Sequence, residues 1–241
     1  MIGLTNFLLR LYETERPRAV IVGWDTLDAP TYRHQALAAY QSGRVFDDAL
    51  LEQLALLPDL VESLGFRAAK AAGYEADDFL AACARAEAGR GGVCRVVTSD
   101  RDAFQLASKH TTIVRPVRGV FELERVGPAE VREQYGVEPE QVPDFIALKG
   151  DSSDKIPGAK GVGPKTAAAV LTEHGTLEAA LAAGRFPNQV EELRLYRRIA
   201  TLDASAPLPS LSDQTPTWAE ASHRFRQWGL EALADRLAGL G

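Results

Sequence analysis

Residues 148–168 read LKGDSSDKIPGAKGVGPKTAA, and the rest of the chain is best read outward from them. Gly158, Gly161 and Gly163 permit close approach of the backbone, and Pro164 suits the first position of a helix. Exposed amides at the start of that helix would bind a phosphate. Lys160 and Lys165 would add charge beside Thr166. No strand signal precedes the turn, and its spacing is not G-x-x-x-x-G-K-[ST], so it is not a Walker loop. An ordinary tight turn between helices is the plainer reading. The Gly-x-Gly-x-Lys spacing favours phosphate.

The pattern is that of a helix–hairpin–helix element, which grips nucleic-acid backbone without reading sequence. Downstream of residue 128 the periodicity predicts only helices, over 128–135, 139–149, 164–173, 176–183 and 188–201. The Pro- and Ser-rich stretch 205–217 reads as a loop or strap. An amphipathic helix follows near 218–238.

Upstream, helix and strand alternate. Residues 19–23 (AVIVG) and 93–97 (VCRVV) read as short buried parallel-type strands. Helical patterns lie at 2–13, 31–41, 47–64 and 75–88, with two further short strands at 112–115 and 119–124. The expected fold class is α/β, a mostly parallel central sheet flanked by helices, followed by a helical subdomain.

Both candidate strands run into an aspartate, Asp25 and Asp100, and ligands collect beyond the carboxyl ends of parallel strands. Asp102 lies two residues on. Glu75, Asp77 and Asp78 open a helix, and Asp151 and Asp154 lie in the glycine-rich turn. Each group has a bland explanation, as helix-start acids, a cap or turn formers. Eight acids that converged would repel one another unless hard divalent cations, Mg²⁺ or Mn²⁺, lay among them. Paired ions about 3.5–4 Å apart suit in-line displacement at phosphorus.

The chain has 241 residues, with 27 Lys and Arg against 33 Asp and Glu, a net charge of −6. That excludes a simple basic nucleic-acid-binding surface. Setting the eight acids aside leaves 25 acids against 27 bases, so the remainder is slightly basic. Hydrophobic residues are 46%, which argues against disorder. No apolar run reaches the roughly 18 residues of a membrane span. Cys83 and Cys94 have no metal-like spacing and read as small buried hydrophobes in a reducing compartment.

With these residues assembled, the chain resembles the 5′-nuclease family, which includes the 5′→3′ exonuclease domain of bacterial DNA polymerase I, stand-alone 5′→3′ exonucleases and flap endonucleases. Val22-Gly23-Trp24-Asp25, Tyr32-Arg33-His34, Gly73-Tyr74-Glu75-Ala76-Asp77-Asp78, Thr98-Ser99-Asp100-Arg101-Asp102 and the 148–168 stretch carry the resemblance, in order and in spacing.

The resemblance implies metal ligation by Asp25, Glu75, Asp77, Asp78, Asp100, Asp102, Asp151 and Asp154, with Arg33, Arg44 and Asp100 in catalytic roles. It implies DNA contacts from Tyr32, Arg33, Arg44, Lys160, Gly161, Gly163, Lys165 and Thr166. A monovalent cation, K⁺, is implied near Ser152 and Ser153. Residues 1–127 would form a nuclease core with a helical arch at 31–60. Residues 128–204 would form the DNA-binding region, and 205–241 a strap and helix packing on the core. The implied substrate is DNA with a 5′ end, flap or nick, or an RNA primer in a hybrid. The implied protein is a monomer, cytoplasmic and nucleoid-associated. Lys70 would join Arg33 and Arg44 in neutralising charge on the scissile phosphate, and Lys149, Lys155, Arg194, Arg197 and Arg198 are further candidates for backbone contacts.

Two departures stand out. The family begins with a strand ending in a metal-site Asp, whereas Met1 falls at the start of the following helix, so the expectation is a true start further upstream. Gln41 stands where relatives usually carry an arch lysine. The alternatives are a catalytically impaired branched-DNA-binding protein lacking the first metal-ligand Asp, and a PIN-type ribonuclease.

Overall fold

The computed structural model describes residues 1–26, 29–42, 46–118 and 122–240. In chain order the elements are α1 (Ile2–Glu15), β1 (Ile21–Gly23), α2 (Tyr32–Ala36), α3 (Asp48–Ser63), β2 (Arg67–Ala69), α4 (Ala76–Gly89) and β3 (Cys94–Val97). A 3-10 turn (Asp102–Leu106) leads to β4 (Thr111–Arg118), β5 (Glu122–Val126) and α5 (Pro128–Tyr135). A second 3-10 turn (Pro139–Gln141) leads to α6 (Val142–Lys149), α7 (Pro164–His174), α8 (Leu177–Ala182), α9 (Val190–Ala200), α10 (Trp218–Gln227) and α11 (Glu231–Ala238).

These divide into two compact units, one of residues 1–25, 44–70 and 207–241, the other of 26–43 and 71–206. In the first, β1 pairs in parallel with β2, Val22 opposite Ala68. Its core gathers Leu8 and Leu9 of α1, Leu60 and Val61 of α3, Phe66, and Phe225 and Leu237 of the last two helices. The strap crosses it in extended form: Gln214 N–H donates to Arg18 O at 2.8 Å, and the Thr217 hydroxyl to Ser63 O at 2.8 Å. Gly65, at φ +86°, is required there, since a Cβ would stand 2.6 Å from Thr215 O.

In the second unit β3 pairs in parallel with β4, Val96 opposite Ile113, and β5 runs antiparallel to β4. α6 is buried from Val142 to Leu148. Its buried acid Asp144 accepts from Leu177 N–H at 2.8 Å and pairs with Arg197.

The α/β class and parallel pairing are as expected, but among the described residues the strands make two small sheets rather than one central one. β2, three residues long, carries no periodicity to read. The helix expected over 31–41 stops at Ala36, because Leu37 turns extended (φ −137°) and the chain swings Tyr40 into the interior, 3% exposed. The helix expected over 218–238 is broken at Gly229, φ +71°.

Candidate active site

β3 ends two residues before Ser99, and the chain turns at once into the 3-10 turn. The Asp100 carboxylate fixes the entry to that turn, accepting from Asp102 N–H two residues on at 2.9 Å. The loop after α6 is pinned as a tight hairpin, Asp151 and Ile156 exchanging both backbone hydrogen bonds at 2.8 Å. Gly150 (φ +81°) and Gly158 (φ +77°) lie back to back beneath it. A Cβ on Gly158 would come within 2.5 Å of Gly150 N, so the loop closes only with glycine there.

These elements share one cavity of about 910 Å³. Asp100, Asp102 and Asp151 line it with Lys149, Lys165 and Pro164, so the acids and the opening turn of α7 face the same space. The Asp102 carboxyl is held well above its usual value, first by burial and then by Asp100, Asp154, Asp151 and Asp77. Asp151 is held below its own by hydrogen bonds from Ser153 and by Lys149, which together outweigh its partial burial.

α4 begins differently. Asp78, fully buried, takes Arg33 in a bidentate pair at 2.7 and 2.9 Å, and accepts from the backbone N–H of Glu75 and of Asp203 at 3.0 and 2.8 Å. Arg33 donates its Nε hydrogen to Ile199 O and its second Nη2 hydrogen to Thr201 O. The Tyr32 ring lies under that guanidinium at 4.5 Å, its hydroxyl also on Thr201 O. Arg33, expected at the scissile phosphate, is therefore a buried clamp, 2% exposed, and Asp78, expected on a metal, is its counter-ion.

Glu75 accepts from the Thr31 hydroxyl at 2.8 Å and the Tyr40 hydroxyl at 3.0 Å. Gln41 donates to Tyr40 Oη at 2.9 Å and to Asp154 Oδ1 at 3.1 Å. Burial, then Glu75 and Asp154, pushes the Tyr40 phenol far up, so it stays a donor.

Of the remaining expected residues, Asp25 and Lys70 lie in the first unit, both exposed. Arg44 lies outside the described residues. Ser153 donates its hydroxyl and its N–H to Asp151, and Ser152 is exposed. Lys160, Gly161, Gly163 and Thr166 are exposed around the start of α7, with Lys160 N–H held by Gln189. Arg194 is engaged by Glu178 and Glu191. Cys83 and Cys94 are free, their thiols pushed by burial up to about 12 and about 11.

Reading the sequence missed the bridge through Thr31 and Tyr40, and missed Arg101, which lines the cavity. The one available signal was a lone aromatic, Tyr40, beside polar residues.

The donor set is all carboxylate oxygen, which suits a hard divalent ion. Among the described residues, no three of His, Cys, Asp or Glu are gathered closely enough to hold one alone. A hard divalent ion that keeps several of its waters needs only one or two carboxylates.

Acids at a strand end and in a glycine hairpin, facing a helix start through one cavity, mark a mixed α/β fold of the nuclease type with a helical C-terminal part. The chain belongs to the 5′–3′ exonuclease family. The family's N-terminal resolvase-like domain matches residues 1–136, and its C-terminal SAM fold matches 137–222.

It is 44% identical over 181 residues to DNA polymerase I of Deinococcus radiodurans, covering 74% of this chain and 18% of that protein. It is 37% identical over 217 residues to the thermostable DNA polymerase I of Thermus thermophilus, covering 86% and 25%. The chain thus spans a quarter or less of the length of these relatives. In fold it is similar to T5 5′-exonuclease with bound divalent metal ions (zinc), at TM-score 0.68 and 18% identity over 98% of this chain and 89% of that one. It is also similar to the catalytic core of Rad2 in complex with DNA substrate, at TM-score 0.61 and 15% identity over 98% and 83%.

Proposed function

We propose that this chain hydrolyses DNA phosphodiesters near a 5′ end, at a flap, nick or branched junction, as a divalent-metal-dependent 5′→3′ exonuclease and flap endonuclease. The observation that carries the reading is the shared cavity, with Asp100, Asp102 and Asp151 facing Lys149, Lys165 and the first turn of α7.

The α7 amides and Lys165 hold a backbone phosphate without reading base sequence. Lys149, 3.4 Å from Asp151, sits where a second phosphate oxygen would approach. Asp100, Asp102 and Asp151, with Asp77 and Asp154 adding to the field at Asp102 and Glu75 linked to Asp154 through Tyr40 and Gln41, would hold the ions. Two Mg²⁺ or Mn²⁺ ions there would supply a water acidic enough to attack at neutral pH and charge to stabilise the leaving oxygen. The products are a 5′-phosphate and a 3′-hydroxyl. RNA 5′ ends in a hybrid are accepted by the same backbone grip, and the chain acts as a monomer.

The test is cleavage of an end-labelled 5′-flap duplex in Mg²⁺. Cleavage near the junction that is abolished by EDTA and falls about 100-fold in Asp100→Asn is the expected result. No cleavage in Mg²⁺ or Mn²⁺, or equal cleavage by the variant, would overturn it. A second reading, a flap binder with little turnover, draws on the buried Arg33–Asp78 pair, which takes two of the expected site residues out of the site. Tight flap binding without product would select it.

A further inference from the structure

The stretch 31–41 is tied to two acids from distant parts of the chain. Thr31 and Tyr40 donate to the two oxygens of Glu75, at 2.8 and 3.0 Å. The Gln41 amide has two hydrogens. One goes to Tyr40 Oη at 2.9 Å and the other to Asp154 Oδ1 at 3.1 Å. The result is an unbroken run of bonds from the start of α4 to the 150–156 hairpin. The Tyr40 ring is fixed within it, 3% exposed and edge-on to His34 at 5.2 Å. Gln41 reaches Asp154 from a left-handed backbone, φ +46°, a conformation costly for a residue with a side chain. Arg33, 3.5 Å from Glu75 and bound to Asp78, closes the other side.

We propose that Tyr40 and Gln41 are positioning residues, a neutral hydrogen-bonded bridge that holds Glu75 and Asp154 at a set separation and orientation for divalent-ion binding. Without the Tyr40 hydroxyl and the Gln41 amide between them, each carboxylate would be free to turn away when no ion is bound. The inference rests on the metal-dependent reading above.

It is tested by calorimetric titration of the DNA-free chain with Mn²⁺, alongside melting curves in EDTA. Tyr40→Phe keeps the ring and removes the hydroxyl, and Gln41→Met keeps the length and removes the amide. Each is expected to raise the Mn²⁺ Kd roughly tenfold, as groups that orient metal ligands do. The double variant should be no worse than either single one, since the run is broken once in each. A purely structural role would lower the melting temperature and leave the Kd unmoved, and that result overturns the bridge. Losses that add in the double variant also overturn it. A wild-type chain that binds no Mn²⁺ overturns the metal-dependent reading itself, and the bridge with it.

Discussion

Asp78 and Asp102 are the same side chain in similar local settings, one in the first turn of α4 and one opening a 3-10 turn. Their surroundings are opposite. Asp78 is fully buried against Arg33, and both of its oxygens accept backbone N–H as well. Asp102 faces Asp100, Asp154, Asp151 and Asp77, and burial first, then these acids, hold its carboxyl far up. Even the neighbours Asp77 and Asp78 divide, the first adding to the field at Asp102 and the second bound to Arg33. The lesson is that an acidic pair in a sequence is two side chains with separate fates, and the partner decides which one is structural.

The same change, Asp to Asn, should therefore act with opposite sign on the two. Asp78→Asn leaves Arg33 buried with half its counter-charge removed. It should cost about 3 kcal/mol, a fall of roughly 6–12 °C in melting temperature. A shift under about 2 °C would mean that Glu75, 3.5 Å from Arg33, suffices as counter-ion. Next in size, Asp100→Asn should lower flap cleavage about 100-fold with the fold intact by circular dichroism. If Asp78→Asn, assayed well below its melting point, lost activity equally, the division between clamp and site would fail.

The acids were legible because each sat beside punctuation: a strand end, a helix start, a glycine turn. The hairpin at 150–158 was legible for the same reason, since positive φ at Gly150 and Gly158 leaves no other residue that fits. Arg33 was misread because exposure is not written in a side chain's type. Its burial depends on Ile199 and Thr201, more than 160 residues away, whose carbonyls take its hydrogens. Gln41 read as a lost charge, whereas its reach to Asp154 depends on a left-handed backbone that a single residue does not announce. The two-sheet arrangement was hidden too, because three-residue strands such as β1 and β2 carry no period.

Divalent ions sharpen the contrast next. Mg²⁺ at about twenty times its Kd should stabilise the native chain by about 2 kcal/mol, raising its melting temperature by roughly 4–8 °C. Asp78→Asn should keep that increment from its lower baseline, whereas Asp100→Asn should lose most of it. Equal increments in the two variants would place Asp100 outside the ion site.

The smallest effect bears directly on Asp102. Its raised value means the folded chain holds that proton more tightly than the unfolded chain does. The stabilisation is complete below the ordinary carboxylate range and is lost as pH climbs through the raised value. Asp151 and Asp203, held below their ordinary values, lose stability only as pH falls beneath that range, outside this window. In EDTA the melting temperature should therefore decline from pH 5 to pH 8. Asp102→Asn, neutral throughout, should flatten the slope and raise the melting temperature at pH 8 by roughly 2–4 °C, about 1 kcal/mol. Mg²⁺ should flatten the wild-type slope in the same way, because a bound cation takes the place of the proton among the acids. A wild-type profile in EDTA already flat over that range would mean the acids around Asp102 are too well hydrated to oppose one another, and the contrast with Asp78 would reduce to burial alone.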